Sequence, residues 1–476
     1  MQLIKNLFYL SGAEIVSKVV TFVAIAYLAR VLGPEGFGYI EFAGAVMLCA
    51  GLLVDQGFGL YGAREIAREP ARTGALVGEI IVTRLTLAIV AYAAVIAFAL
   101  WLNRGDAATQ LLLIYALSLL PMPLLLQWVF QGHAQMHIVA LLQLIRQSLF
   151  AGVVFAFVRA ASQMWIVGAA EIAGVIGATI IGLWLYRRNF SAYRIEFRIT
   201  RKLFADGVPI GLSQLFWMVR MFGATVIVGI IATPRDVGFF GGAMRILIAL
   251  HTFVWLYFFN LLPALSQSWQ KRDGAFAALI RQSLFLATWL SVLIGLVWVL
   301  GAPMAMTLVY GAAFAPSGVT LQWLAGVGIV AFLSGHYRFG LIATGFQNNE
   351  MVAQALGSGL VIVALPIAYA FIGINGAAIV LVLGEVVVWS VTWWWSHTKL
   401  GLAWNIQLFA RPLIALGLGI GSLWLAPFDA LIAQIALIVA LIVILAFAMD
   451  AEVRRGLGQL KVNKFFARIA ARVAPR

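Results

Sequence analysis

Residues Arg30–Ala67, RVLGPEGFGYIEFAGAVMLCAGLLVDQGFGLYGAREIA, close one apolar segment, turn at Gly33-Pro34-Glu35-Gly36, and run through a second apolar segment to a charged exit at Arg64-Glu65. The second segment carries Glu41 and Asp55. The pattern returns at ATPRDVGFFGGAMRI, where Pro234, Gly238, Phe239 and Ala243 stand 200 residues after Pro34, Gly38, Tyr39 and Ala43. A hairpin repeated at that distance implies two related halves. The ionisable residues set in apolar helices are where a function is to be sought.

Working outward, the 476 residues are 63% hydrophobic and only 11% charged, with mean hydropathy +1.00. Soluble domains carry about a quarter charged residues, so the expected class is an all-α polytopic membrane protein. The apolar runs are continuous and about twenty residues long, not alternating segments of roughly ten, which excludes an outer-membrane barrel. The single cysteine, Cys49, rules out an intramolecular disulfide. About fourteen runs are long enough to span roughly 30 Å of hydrocarbon. They lie near Leu7–Leu32, Phe37–Tyr61, Leu76–Leu102, Leu111–Phe130, Ile138–Val158, Trp165–Tyr186 and Phe204–Ile231. The rest lie near Val237–Leu262, Phe276–Leu300, Val319–Ala343, Val352–Ile372, Ala377–Trp395, Ile406–Leu425 and Leu431–Met449.

The repeat extends beyond the hairpin. Thr73-Gly74-Ala75 matches Asp273-Gly274-Ala275 at the same spacing, and GHAQMHIVALLQ from Gly132 resembles GFQNNEMVAQAL from Gly345, after an insertion placed at LVYGAAFAPSGVT. The expected organisation is a six-helix bundle over 1–186, a basic linker over 187–203, a second six-helix bundle over 204–400, two added spans over 401–450 and a basic tail over 451–476. Six spans per half give both halves one orientation, the parallel-repeat arrangement of some transporters.

The net charge of +14 is concentrated in alternate loops and in the tail. By the positive-inside rule both termini are cytoplasmic, and the charge reflects topology rather than nucleic-acid binding. The tail, KVNKFFARIAARVAPR, reads as a basic amphipathic helix on anionic lipid or as a disordered solubilising tail. The amino-terminal apolar run is too long for a cleavable signal peptide and is interrupted by Glu14 and Lys18.

The buried charges fall on helical stripes. Ser11, Glu14, Lys18 and Thr21 share a face of the first span, Glu41 and Asp55 a face of the second, and Glu79 and Arg84 lie in the third. Gln143, Arg146 and Gln147 follow in the fifth, Arg220 in the seventh, Arg245 in the eighth, and His336 and Arg338 in the tenth. A charge at mid-bilayer costs about 2.5–3.5 kcal/mol, so each should face protein or a water-filled cavity. For any one of them a structural salt bridge is the alternative role. As a set, Lys18, Arg84, Arg146, Arg220 and Arg245 suggest a cationic cavity that binds an anionic substrate, arginine being suited to phosphate through its planar donor fork. Glu14, Glu41, Asp55 and Glu79 are candidates for an ion-coupling site, with neutralisation of a nearby arginine as the alternative. Trp217, Trp255, Tyr257, Trp323 and Tyr337 interleave with these charges and could stack on sugars or anchor the interface.

The runs RVLGPEGFGYIEFA and DQGFGLYGAREIA resemble the start of the polysaccharide flippases, the O-antigen, capsule and exopolysaccharide branch of the multidrug/oligosaccharidyl-lipid/polysaccharide exporter superfamily. TLVYGAAFAPS is similar to the segment that family carries after its ninth span, with alanines where acidic residues are common in relatives. The resemblance implies transport of an undecaprenyl-pyrophosphate-linked oligosaccharide from the cytoplasmic to the periplasmic leaflet of the bacterial inner membrane. It also implies a possible coupling cation, H+ or Na+, and polymerase and chain-length machinery as partners. A multidrug/cation antiporter of the same superfamily is the alternative, favoured had there been twelve spans and an acidic lumen. A glycan polymerase would usually need a long periplasmic loop carrying catalytic groups, and none is evident. No cofactor, metal site or catalytic group is expected: His133 and His137 lack a third ligand, and no phosphate-binding glycine loop stands out.

Overall fold

The computed structural model describes residues 2–55, 57–103, 105–190, 195–197, 203, 215–403, 408–410, 412 and 414, with side chains from residue 16. Every regular element among them is helical: α1 (Gln2–Asp55), α2 (Phe58–Arg68), α3 (Thr73–Leu102), α4 (Asp106–Ala116), α5 (Gln127–Gly132), α6 (Met136–Phe157) and α7 (Trp165–Asn189). A π-turn at Val219–Gly223 leads into α8 (Ala224–Ile231), followed by α9 (Pro234–Lys271), α10 (Ala275–Tyr310), α11 (Ser317–Ala343), α12 (Gln347–Ile372) and α13 (Ile374–Leu400). Ten helices among the described residues are long and apolar enough to cross a membrane, and the first, Val16–Arg68, covers two of the expected spans. The chain is an all-α, multi-pass membrane protein. Most of the two expected spans beyond residue 405 and the whole basic tail lie outside the described residues, so the count of fourteen remains an expectation.

The described residues gather into two compact units. The first takes in Met1–Ala249, Pro303–Leu324 and Met351–Val388, and holds both copies of the hairpin. The sharp turn expected over four residues is made by one. Gly33 alone leaves helical geometry, at φ 67° and ψ 178°, and Pro34 restarts the helix. The second copy restarts differently: Thr233 Oγ1 accepts the Asp236 N–H at 3.2 Å and donates to the Asp236 carboxylate at 2.9 Å, a local cap for α9.

The two copies cross backbone to backbone in a reciprocal arrangement. A Cβ on Gly38 would collide with the Pro234 carbonyl, and one on Gly238 with the Pro34 carbonyl. The two prolines therefore lie at the same end of the helices, as a parallel repeat requires. The ninth-span insertion seats this crossing. Phe314 is fully buried, with Phe37 at 5.7 Å and Phe239 at 5.9 Å between ring centroids, and Tyr310 donates to the Gly242 carbonyl at 3.2 Å. Arg30 closes the same end by donating to the carbonyls of Val309, at 3.0 Å, and Leu308, which finish α10. Further along, Thr21 donates to Gln147 Oε1 at 2.8 Å and Tyr27 to the Val158 carbonyl at 2.7 Å, tying α1 to α6 and its C-cap. A separate apolar cluster built on Phe58, Tyr61, Ile66, Ile80, Trp128 and Phe130 packs α2, α3 and α5.

The second unit takes in Leu250–Ala302, Ala325–Glu350 and Trp389–Arg476. Its core is Phe258, Leu265, Phe276, Ile280, Leu284 and Tyr337. His336 is sealed inside it, with Nδ1 against the carbonyls of Phe332 and Leu333 at 3.1 and 3.3 Å.

Valine at Gly38 or Gly238 should force the crossing apart and lower the thermal unfolding midpoint in detergent, overpacking costing about 1–3 kcal/mol. Gly152→Val, where an added Cβ meets nothing within 4 Å, is the control and should leave the midpoint near that of the parent.

Candidate functional site

Four of the five basic candidates meet carboxylates. Arg245 on α9 donates through Nε to Glu41 on α1, joining the two hairpin copies. Gly241 makes this possible: it occupies the repeat position of Glu41, and an added Cβ would lie 2.6 Å from Glu41 Cγ. Arg146 on α6 holds Glu171 on α7 at 2.5 Å. Tyr115 on α4 lies within electrostatic reach of all four charges. Tyr310 adds a second phenol beside Glu41 and Arg245. The side chains of Arg245 and Arg146 are 31% and 29% exposed, whereas Glu41 is 7% exposed. The arginines are therefore the reachable members.

Arg220 and Arg84 meet other carboxylates. Arg220, in the π-turn, pairs with Glu385 on α13 at 2.8 Å, and both are 0% exposed. Gly357 on α12 makes the space, since an added Cβ there would lie 3.2 Å from Arg220 Nη1, and Gly384 on α13 lets the two helices approach, since its Cβ would lie 3.1 Å from the Gly357 carbonyl. A substrate does not reach Arg220 unless these helices part. Arg84 pairs with Asp55, and Asp55 also accepts the Gly59 N–H at 3.1 Å, holding the first turn of α2 after the break at Gly57. Asp55 thus has a structural use in the break between α1 and α2. Lys18 is exposed on α1, Glu79 is half-buried on α3, and the side chain of Glu14 lies outside the described residues. In the second unit Arg338 pairs with Glu350 at 2.9 Å.

Four of the five residues expected to line a cationic cavity are each paired with a carboxylate in this structure. Two of these carboxylates, Glu41 and Asp55, were candidates, whereas Glu171 and Glu385 were not, although both interrupt apolar runs. Their spacing of 214 is within one residue of the 213 that separates Gly132 from Gly345 in the repeat, a signal that could have found them. Of the aromatic candidates, Tyr337 is buried in the second unit, whereas Trp255 and Trp323 are exposed. His133 is held by Thr73 Oγ1 at 3.0 Å and stacks on Phe190, a packing role. A small cavity of about 20 Å³ beside the crossing is lined by Tyr39, Phe42, Ala99, Leu112, Gly229 and Val237 and carries no charge.

This helical architecture is that of known membrane transporters. It matches the lipid II flippase MurJ in its inward closed conformation with a TM-score of 0.70 at 14% identity, over 93% of this chain and 99% of that one. It matches an inward-facing MATE-family multidrug transporter of the MOP superfamily with a TM-score of 0.66 at 16% identity, over 81% of this chain and 94% of that one. The chain belongs to the polysaccharide biosynthesis protein family, which it matches over residues 3–269. The "Putative O-antigen transporter" of Escherichia coli K12 is 23% identical over 403 residues, covering 82% of this chain and 96% of the relative. Its namesake in Shigella dysenteriae is 24% identical over 380 residues, covering 77% and 93%.

Arg220→Met should leave Glu385 buried without its cation and destabilise the fold by about 3–5 kcal/mol. The double variant Arg220→Met/Glu385→Leu should recover most of that loss, read as the thermal midpoint in detergent. A double variant no better than the single one would show that the pair is not what the helices depend on.

Proposed function

We propose that this protein is a flippase for a lipid-linked oligosaccharide used in cell-surface polysaccharide synthesis. The observation that carries the reading is the two partly exposed arginines, Arg245 and Arg146, set in otherwise apolar helices in a chain of this family. The names of its relatives support a carrier of polysaccharide precursors rather than an enzyme.

In this reading the cargo is an undecaprenyl-pyrophosphate-linked oligosaccharide, moved from the cytoplasmic to the periplasmic leaflet by alternating access. Moving a doubly charged pyrophosphate through hydrocarbon unaided is prohibitive, since an unpaired ion costs tens of kcal/mol to desolvate in a Born estimate. Arg245 and Arg146 replace the lost hydration, while the prenyl chain stays in lipid. Lys18 and Arg84 are secondary contacts along the route, and Arg220 joins them only if its pair with Glu385 opens. Glu41 is the leading candidate for coupling to H+ or Na+, with Glu14, Asp55 and Glu79 behind it. The halves 1–186 and 204–400 are the moving bodies, joined by the 187–203 linker, with the 401–450 spans and the 451–476 tail added. Both termini face the cytoplasm of the inner membrane, where polymerase and chain-length machinery would act on the product.

Arg245→Ala and Arg146→Ala should each abolish surface glycan at normal protein levels, with lysine rescuing only partly, because it loses the bidentate fork. Surface glycan staining against membrane protein level checks this. Parental glycan in the double alanine variant would show these arginines to be structural.

A further inference from the structure

Arg245 is assigned to an anionic headgroup, yet it already holds a carboxylate of the protein. A guanidinium presents its donors in one planar fork, and the fork that binds a carboxylate is the one that binds a phosphate. The headgroup therefore takes Arg245 fully only if Glu41 gives it up.

What surrounds Glu41 decides what happens next. Arg245 and Gly241 face it from α9. Tyr115 on α4 and Tyr310 on α10 lie within electrostatic reach of the pair, and Glu171 on α7 and Arg146 on α6 within reach of Tyr115. Of these, the cations are Arg245 and Arg146, and Arg146 is held by Glu171. With Arg245 turned to the headgroup, Glu41 loses its ion-pair partner. Its side chain is 7% exposed, so water does not make up the loss. A carboxylate stripped of its cation in such a place takes a proton in preference to remaining charged.

We propose that Glu41 is a built-in competitor of the headgroup for Arg245, so that headgroup binding is accompanied by uptake of one proton from water onto the Glu41 carboxylate. The proposal rests on the reading of Arg245 as a headgroup ligand. In the exchange the Arg245–carboxylate contact breaks, an arginine–phosphate contact forms, and the carboxylate becomes a carboxylic acid. The sign follows: protonated Glu41 leaves Arg245 available, so affinity for the anion falls as pH rises through the titration of Glu41, by up to about tenfold per pH unit.

The test uses the full chain in lipid nanodiscs, titrated calorimetrically with farnesyl pyrophosphate in buffers of different ionisation enthalpy across the neutral range. The parent should take up about one proton per molecule bound beyond any taken up by the probe itself. Glu41→Gln should bind more tightly and lose that proton. Inorganic sulfate, dianionic throughout this range, repeats the comparison with a probe that does not titrate. No proton uptake by the parent with sulfate, where no variant is needed, would overturn the proposal. So would a Glu41→Gln protein with the parental uptake and pH slope. If Arg245→Ala loses binding while Glu41→Gln titrates like the parent, the competition alone is wrong. If Arg245→Ala binds like the parent, the headgroup reading fails and the competition with it.

Discussion

A charge inside hydrocarbon has little to bind except another part of the protein, and the pairing of each arginine with a carboxylate from another element organises this molecule. Arg84 meets Asp55, Arg146 meets Glu171, Arg220 meets Glu385, Arg245 meets Glu41 and Arg338 meets Glu350. Each pair joins two helical elements that are separate along the chain, so satisfying the charge also locates the helices. Exposure then divides the pairs by use. The Arg220–Glu385 pair is sealed at 0%, whereas Arg245 and Arg146 leave about a third of their side chains exposed.

The close approach of the two hairpin copies sets where the reachable pair sits. Gly38 and Gly238 let the backbones touch, each against the carbonyl of the opposite proline. Glu41 follows Gly38 by three residues, about one helical turn, and Gly241 leaves it room to reach Arg245. Backbone contact and ion pair are thus adjacent features of one junction between the repeats. Any motion that separates the hairpins must also part Glu41 from Arg245. This joins a mechanical event to an electrostatic one without a relay of intervening side chains.

Compensation also changes what the arginines can do. In the proposed reading, a bare cationic cavity would hold the headgroup firmly and release it slowly, whereas an arginine with its own carboxylate would exchange one anion for another. The cost of desolvating the guanidinium has already been met in the empty protein, and what remains is the difference between two similar contacts. Modest binding of that kind suits a carrier, which must release what it binds.

The amino-acid sequence by itself determined the all-α membrane class, because uninterrupted apolar runs have no other stable arrangement across hydrocarbon. It also showed the repeated hairpin, through Gly33-Pro34 and Pro234 with Gly38 and Gly238, and it marked Arg84, Arg146, Arg220 and Arg245 as charges out of place. The tertiary structure decided which carboxylate each arginine meets. Glu41 and Arg245 are 204 residues apart, and Glu171 and Glu385 passed unremarked in their apolar runs. Asp55 turned out to serve the break before α2. Periodicity along a helix says which residues share a face, but the partner of that face depends on where two distant helices cross. That crossing is fixed by backbone contact at glycines, whose positions relative to one another exist only in the folded chain.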